Sequence, residues 1–243
     1  MIDIHSHIIF GVDDGPDTLE ESIELIKEAY RQGVTTIVAT SHRRKGMFET
    51  PEVTIFANFI LLKEEIQKLL PEMTLLYGGE LYFTTDIVEK LENQTIPTMG
   101  GTRFALIEFS TGTPWKIIHG AVIDLLNIGV TPIIAHIERY DALENNRARV
   151  KELIDMGCYT QVNSIHVLKT KLFGDKYKIY KKRVAYFLDE DLVHCVASDM
   201  HNLDNRKPYM QEAYTIIEKK FGVKKAKQLF HDNQVTLLAN QFI

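Results

Sequence analysis

Two periods of apolar residues alternate along this chain. Runs of five or six residues rich in Val, Ile, Leu and Thr recur at 2–6, 34–39, 74–79, 104–109, 131–135, 158–163 and 193–198, and they read as strands. Between them the apolar positions fall three and four apart. In 17–32, Leu19, Ile23, Ile26 and Tyr30 share one helical face. Thr18 with Glu21 offers a capping box at its start, and Gly33 suits the left-handed position just past its end. The same spacing predicts helices near 52–70, 84–93, 115–128, 141–156, 174–190, 208–220 and 223–231, with longer loops at 42–51 and 165–175. Strands alternating with helices through short links predict a parallel sheet. Seven such units in 243 residues fit an α/β fold, a distorted parallel β/α (TIM-like) barrel of about seven strands. With no linker or composition shift, a single domain over 1–243 is expected.

Composition narrows the function. A formal charge of −5 argues against general nucleic-acid binding. Cys158 and Cys195 sit inside strand-like runs, where a thiol is usually a small buried hydrophobe. No apolar run approaches the ~18 residues of a membrane span. The first residues lack a basic stretch and carry Asp3, so no signal peptide is expected. The expectation is a cytoplasmic protein without direct membrane insertion.

The chemistry lies where strands end. In a parallel β/α barrel the active site forms at the strands' C-terminal ends. His5, His7 and Asp14 follow the first strand, His42 the second, Glu80 the third, Glu108 the fourth, His136 the fifth, and Asp199 and His201 the last. Nine N/O donors without a thiolate suit Mn, Fe, Zn or similar divalent ions. They are too many for one ion and would serve two or three, with a carboxylate such as Glu80 as bridge. Paired ions activate water and neutralise the oxygens of a phosphate ester. Four carboxylates against three divalent ions leave a charge of about +2, which draws a phosphomonoester dianion. Arg139 and Arg206 follow His136 and His201 closely enough to grip phosphate at the same mouth. Arg43 and Arg44, just past His42, are further substrate contacts. Asp13 reads as a turn residue before Gly15-Pro16. Asp3 shares the strand face of His5 and His7, either orienting an imidazole or lying solvated at the barrel floor. His166 can edge the pocket, whereas His119, His194 and His231 read as structural.

The motifs DIHSH (3–7), GVDDG (11–15), ATSH (39–42), GGE (78–80), IIAHIERY (133–140) and SDMHN (198–202) resemble those of the PHP (polymerase and histidinol phosphatase) superfamily. More narrowly they resemble the bacterial tyrosine-protein phosphatases of capsule and exopolysaccharide gene clusters, the CpsB/YwqE type. The resemblance implies a PHP barrel with a manganese site of two or three ions, other divalent ions such as Fe, Zn or Mg being possible. It implies one ion on His5, His7, Glu80 and Asp199, a second on Glu80, Glu108 and His136, and a third on Asp14, His42 and His201. The implied substrate is phosphotyrosine on the tail of a bacterial tyrosine autokinase that controls polysaccharide synthesis. The alternative is another PHP-type phosphomonoesterase acting on a small molecule such as histidinol phosphate.

Overall fold

Short parallel strands curl around a common axis, with helices packed outside. The structure, a computed structural model, describes residues 1–171 and 173–243; Leu172, in the expected loop 165–175, lies outside the described residues. In chain order the elements are β1 (Ile2–Ser6), α1 (Leu19–Arg31), β2 (Thr36–Ala39), β3 (His42–Arg43), α2 (Glu52–Leu69), β4 (Thr74–Tyr77), β5 (Glu80–Tyr82) and α3 (Thr85–Glu92). There follow β6 (Phe104–Glu108), α4 (Trp115–Asn127), β7 (Thr131–Ile134), α5 (Arg147–Asp155), β8 (Tyr159–Asn163) and α6 (Ser164–Val167). The chain closes with α7 (Lys178–Asp189), β9 (Cys195–Ala197), α8 (Met210–Phe221), α9 (Val223–Lys227) and α10 (Asn233–Leu238).

Strands β1-β2-β4 form one sheet and β3-β5-β6-β7-β8-β9 another, all pairs parallel. The seven expected strands are present. Two are prolonged past a break, β2 into β3 and β4 into β5. At the second break a Cβ on Gly78 would sit 2.9 Å from Val38 Cγ1, so the close approach requires glycine. The last strand returns to the first: Asp199 N donates to His5 O at 2.8 Å and His7 N to Met200 O at 2.9 Å.

Two apolar clusters follow from the alternation of the strands. Ile2, Ile4, Val38, Phe104, Leu106, Ile133 and Ala197 fill the space enclosed by the strands. Ala105, Ile107 and Ile134 face outward onto Leu25, Phe59, Val122, Val184 and their neighbours on the helices. One departure decides where the first histidines point. Asp3 pairs with Ile37 but Ser6 pairs with Ala39, so β1 carries one extra residue, a bulge. A bulge shifts the in–out phase. Ile2 and Ile4 point inward before it, and His5 and His7 do so after it.

Helix ends follow the sequence signals where a cap is present. Thr18 and Glu21 form the expected capping box. The helix expected over 141–156 is split, because Asn146 caps a new start at Arg147 by accepting from Arg149 N. The expected 165–175 loop begins inside the turn of α6. The closing 223–231 helix is interrupted by a wider turn at Gln228–Asp232 and continues to Leu238. Among the described residues no helix is long and apolar enough to cross a membrane.

Candidate metal centre

All nine predicted donors converge at one end of the strands. Ligand atoms of His7, Asp14, His42 and His201 lie within 4.8 Å of one another, as do those of three further groups: His5, His136 and Asp199; His5, His7 and Glu80; His42, Glu80 and Glu108. His5, His7, His42 and Glu80 each belong to two groups, so the cluster is continuous. Glu80 is its hub. Its carboxylate oxygens lie 3.3 Å from His5 Nε2, 3.2 Å from His7 Nε2, 3.0 Å from His42 Nδ1 and 2.9 Å from His136 Nε2. Asp14 Oδ1 is 3.1 Å from His201 Nε2 and 3.4 Å from His42 Nε2, and Glu108 Oε1 is 3.7 Å from His136 Nε2.

Each of four imidazoles is held from behind. His7 Nδ1 donates to Asp13 Oδ2 at 2.7 Å, His5 Nδ1 to Gln161 Oε1 at 3.1 Å and His201 Nδ1 to Asp199 O at 3.0 Å. His136 Nδ1 faces the Tyr140 hydroxyl at 3.3 Å. In the neutral form that ligation requires, with the proton on the outer nitrogen, each Nε2 lone pair points into the cluster. His136 reaches this position only because its backbone is left-handed (φ 30°); Asp199 shares that conformation (φ 52°). Such a backbone costs about 1 kcal/mol for a residue with a Cβ, and strain of this kind collects at functional sites.

Electrostatics divide the donors. Burial opposes charge on Glu80, yet His5, His42 and His136 hold its carboxyl well below the usual range. Burial likewise opposes the Asp199 charge, but Arg206 and Arg139 keep it ionised. Glu108 is pushed up to about 8 by burial and by the neighbouring Glu80 charge. His136 falls to about 4 through burial and Arg139, and His201 to about 4 through burial and the charge of His7.

The residues fit a group of divalent ions. His42 Nδ1, Glu80 Oε2, Glu108 Oε2 and His201 Nε2 are buried without a hydrogen-bond partner. His42 Nδ1 and His201 Nε2 stand 3.0 and 3.1 Å from carboxylate oxygens but are not aligned on them as hydrogen bonds. Orphaned polar atoms in a dry interior are costly. Lone pairs that converge on shared points rather than on each other are what an ion satisfies.

Around this cluster several sequence expectations change. Asp13 does form a turn, accepting from Gly15 N, but its side chain is buried and also takes His7 Nδ1 and His42 N (2.9 Å). Asp3 is neither solvated nor touching a ring: ahead of the bulge, on the opposite face from His5 and His7, it accepts from Ser198 Oγ and N, tying β9 to β1. The reading of Arg43 as a substrate contact is corrected. Its five N–H groups are directed at Glu52, Tyr77 and the carbonyls of Ser41 and His42. Arg44 is half-buried at the rim, its guanidinium 4.3 Å from the Tyr82 ring centre. Arg139 and Arg206 both clasp Asp199, at 2.5 and 2.8 Å, and Arg206 also reaches Asp14 at 3.1 Å. His166 lies outside the cluster, bonded to Glu138 at 2.7 Å. His119 pairs with Glu152, His194 bonds Thr160 and His231 bonds Asp232.

Two residues escaped the sequence reading. Gln161 accepts from His5 and from His136 N and donates to Asn163, whose amide donates to Asp199 Oδ2 at 2.7 Å. Thus β8, the one of the seven expected strands that ends without a candidate ligand, supplies two amides that orient ligands on its neighbours. The signal was present in the alternation of polar Gln161 and Asn163 on the inward face of Tyr159.

Comparison with known proteins agrees with this arrangement. The chain is 62% identical to the tyrosine-protein phosphatase CpsB of Streptococcus agalactiae serotype V over 243 residues, the whole of both chains. It is 61% identical to CpsB of Streptococcus pneumoniae, again over the full length of both. A solved structure described as belonging to the unique metal-dependent tyrosine phosphatases YwqE from Bacillus subtilis and CpsB from Streptococcus pneumoniae superposes with a TM-score of 0.88. It is 30% identical, and the match covers 100% of this chain and 96% of that one. The profile of the capsular polysaccharide synthesis family CpsB/CapC matches residues 1–239, and the chain belongs to that family.

Proposed function

We propose that this chain is a metal-dependent protein-tyrosine phosphatase. It forms one phosphatase domain over 1–243 and acts in the cytoplasm on phosphotyrosine in the tail of a bacterial tyrosine autokinase, thereby regulating capsular polysaccharide synthesis. One observation carries the reading: a cluster of five imidazoles and four carboxylates, all but Asp14 buried and four of their inward atoms unpartnered, flanked at its mouth by two arginines. The name tyrosine-protein phosphatase borne by the 61–62% identical relatives supports it.

Manganese is the proposed resident ion, two or three per chain. His5, His7, Glu80 and Asp199 would hold one, Glu80, Glu108 and His136 a second, and Asp14, His42 and His201 a third. Bound divalent ions supply a water acidic enough to act as nucleophile at neutral pH and offset charge on the phosphate oxygens. The chain's own residues do the positioning. Asp13, Gln161 and the Asp199 carbonyl keep the imidazole lone pairs turned inward. Arg139 spends Nη2 on Asp199, and among the described residues its Nε and Nη1 have no protein acceptor. These free N–H groups, beside the partly exposed Arg206, can each donate to a phosphate oxygen. Preorganised cations at this point stabilise charge in the transition state without reorganisation.

A thiol nucleophile has no place here. Burial pushes Cys158 up to about 12 and Cys195 higher still, and both lie away from the cluster. The test is phosphate release from a tyrosine-phosphorylated autokinase tail, with histidinol phosphate in parallel and metal content measured on the same sample. The proposal requires turnover of the phosphotyrosine peptide that chelator abolishes and Mn restores. Turnover of histidinol phosphate alone would replace it with the small-molecule reading.

A further inference from the structure

The chain carries a net charge of −5, yet residues 169–183 hold six lysines and one arginine against one aspartate. Arg183 and Lys181 are buried in ion pairs, with Asp141 and Glu144 and with Asp175 respectively. The others are not. Lys169, Lys171, Lys176, Lys178 and Lys182 are exposed, as is Lys219 on the facing α8. Among the described residues none of these six has a carboxylate within ion-pair distance.

Large apolar side chains stand among these cations. Phe173 is 84% and Ile179 60% exposed, in the loop before α7 and on α7 itself. A groove of about 470 Å³ runs between α7 and α8, with Leu168 and Phe221 in its walls and Lys182 at its edge. The segment follows β8 directly, and β8 ends at Asn163, which bonds Asp199 of the metal centre. The patch thus begins in the segment that leaves β8 beside the centre and extends along α7 and α8.

We propose that this face is a docking surface for an anionic lipid bilayer. Lysine ammonium groups spread over a loop and two helices give a diffuse field matched to a sheet of lipid phosphates. They lack the planar fork with which arginine reads a single phosphate. An acidic polypeptide would answer the charge but not the outward Phe173 and Ile179. Side chains of that kind enter the headgroup boundary when flanking lysines hold the protein against it. The protein lies on the membrane without crossing it.

Full-length protein sedimented with phosphatidylcholine vesicles, with and without phosphatidylglycerol, provides the test. Wild type binds only the phosphatidylglycerol vesicles, and salt weakens the binding. Changing Lys169→Gln, Lys171→Gln and Lys182→Gln together lowers the affinity about 100-fold, and Phe173→Ala alone lowers it about 10-fold. Both variants keep wild-type hydrolysis of p-nitrophenyl phosphate, which shows that they fold. The proposal is overturned if wild type ignores anionic vesicles at low salt, binds neutral vesicles equally, or loses nothing in either variant. Binding to polyglutamate that vesicles fail to displace would overturn it too, in favour of an acidic protein partner.

Discussion

Asp13 Oδ2 accepts the Nδ1 proton of His7 at 2.7 Å and the backbone N–H of His42 at 2.9 Å. One buried carboxylate thereby sets the ring of one donor and the backbone of another. The Asp13 charge is itself held well below the usual carboxylate range, against burial, by His7 and by the His42 amide. Asp13→Ala removes the support of two donors from adjacent strands. Outer partners of metal-bound imidazoles contribute about 10–100-fold in metal affinity. The variant is expected to lose that much in a metal titration of activity, and excess metal should recover most of kcat. Unchanged affinity would mean that Asp13 serves the turn alone.

The donors were legible in the sequence because each closes a short apolar run, the point where a barrel strand leaves the core. Their facing was not legible. Strict alternation puts Asp3 with His5 and His7, but the extra residue in β1 moves Asp3 onto Ser198 and swings both imidazoles inward. His136 depends on a left-handed backbone that Ala135-His136 does not advertise. The Arg43-Arg44-Lys45 run looked uniform, although β3 pairing buries Arg43 against Glu52 and leaves Arg44 at the rim. Gln161 and Asn163 read as ordinary strand residues until their partners on β1, β7 and β9 are known.

Gln161 gives a second prediction. Its carbonyl holds His5 Nδ1 and His136 N, and its amide continues through Asn163 to Asp199. Gln161→Leu is close in size but leaves buried donors unmatched, at a cost of about 1–3 kcal/mol. It should lower the unfolding midpoint in urea and weaken metal binding together. Loss of stability with metal affinity intact would show that the amide chain supports the barrel and does not position ligands.

The arginines should separate by measurement. Arg43 is buried and fully bonded within the protein, so Arg43→Ala is expected to destabilise by about 2 kcal/mol while the KM of the folded fraction holds. Arg139→Ala removes a phosphate donor at the mouth and should cut kcat/KM by about 100-fold. Urea denaturation and steady-state kinetics on both variants distinguish the roles. A raised KM in Arg43→Ala at wild-type stability would restore Arg43 as a substrate contact.

Replacing both thiols tests the nucleophile. Cys158 and Cys195 are buried with raised pKa values, so Cys158→Ser with Cys195→Ser should keep the rate. His136→Ala, which removes the imidazole ligand that faces Glu80 and Glu108, should abolish it. A folded double serine variant without activity would refute hydrolysis by activated water.

Metal loading should release protons. In the ion-free protein burial opposes the His7 charge, but Asp13 and Glu80 raise its pKa to about 10, so His7 is protonated at pH 7. Glu108, raised to about 8 by burial and by Glu80, is mostly protonated there too. Neither can ligate in that form. His136 and His201, both near 4, are already neutral, and Glu80 and Asp199 are already ionised. Glu80 and Asp199 raise His5 against burial as well, so filling the centre at pH 7 should expel about two protons from His7 and Glu108, together with any that His5 carries. Because the folded pKa values lie above neutrality, apparent affinity should climb as pH rises from 6 toward 8, and His7 should keep contributing above that. Calorimetric titration of Mn into the apoprotein, in two buffers of different ionisation enthalpy, counts the protons directly. A count of zero at pH 7 would place His7 neutral before metal arrives, and the Asp13 pair would then be too weak to hold its charge.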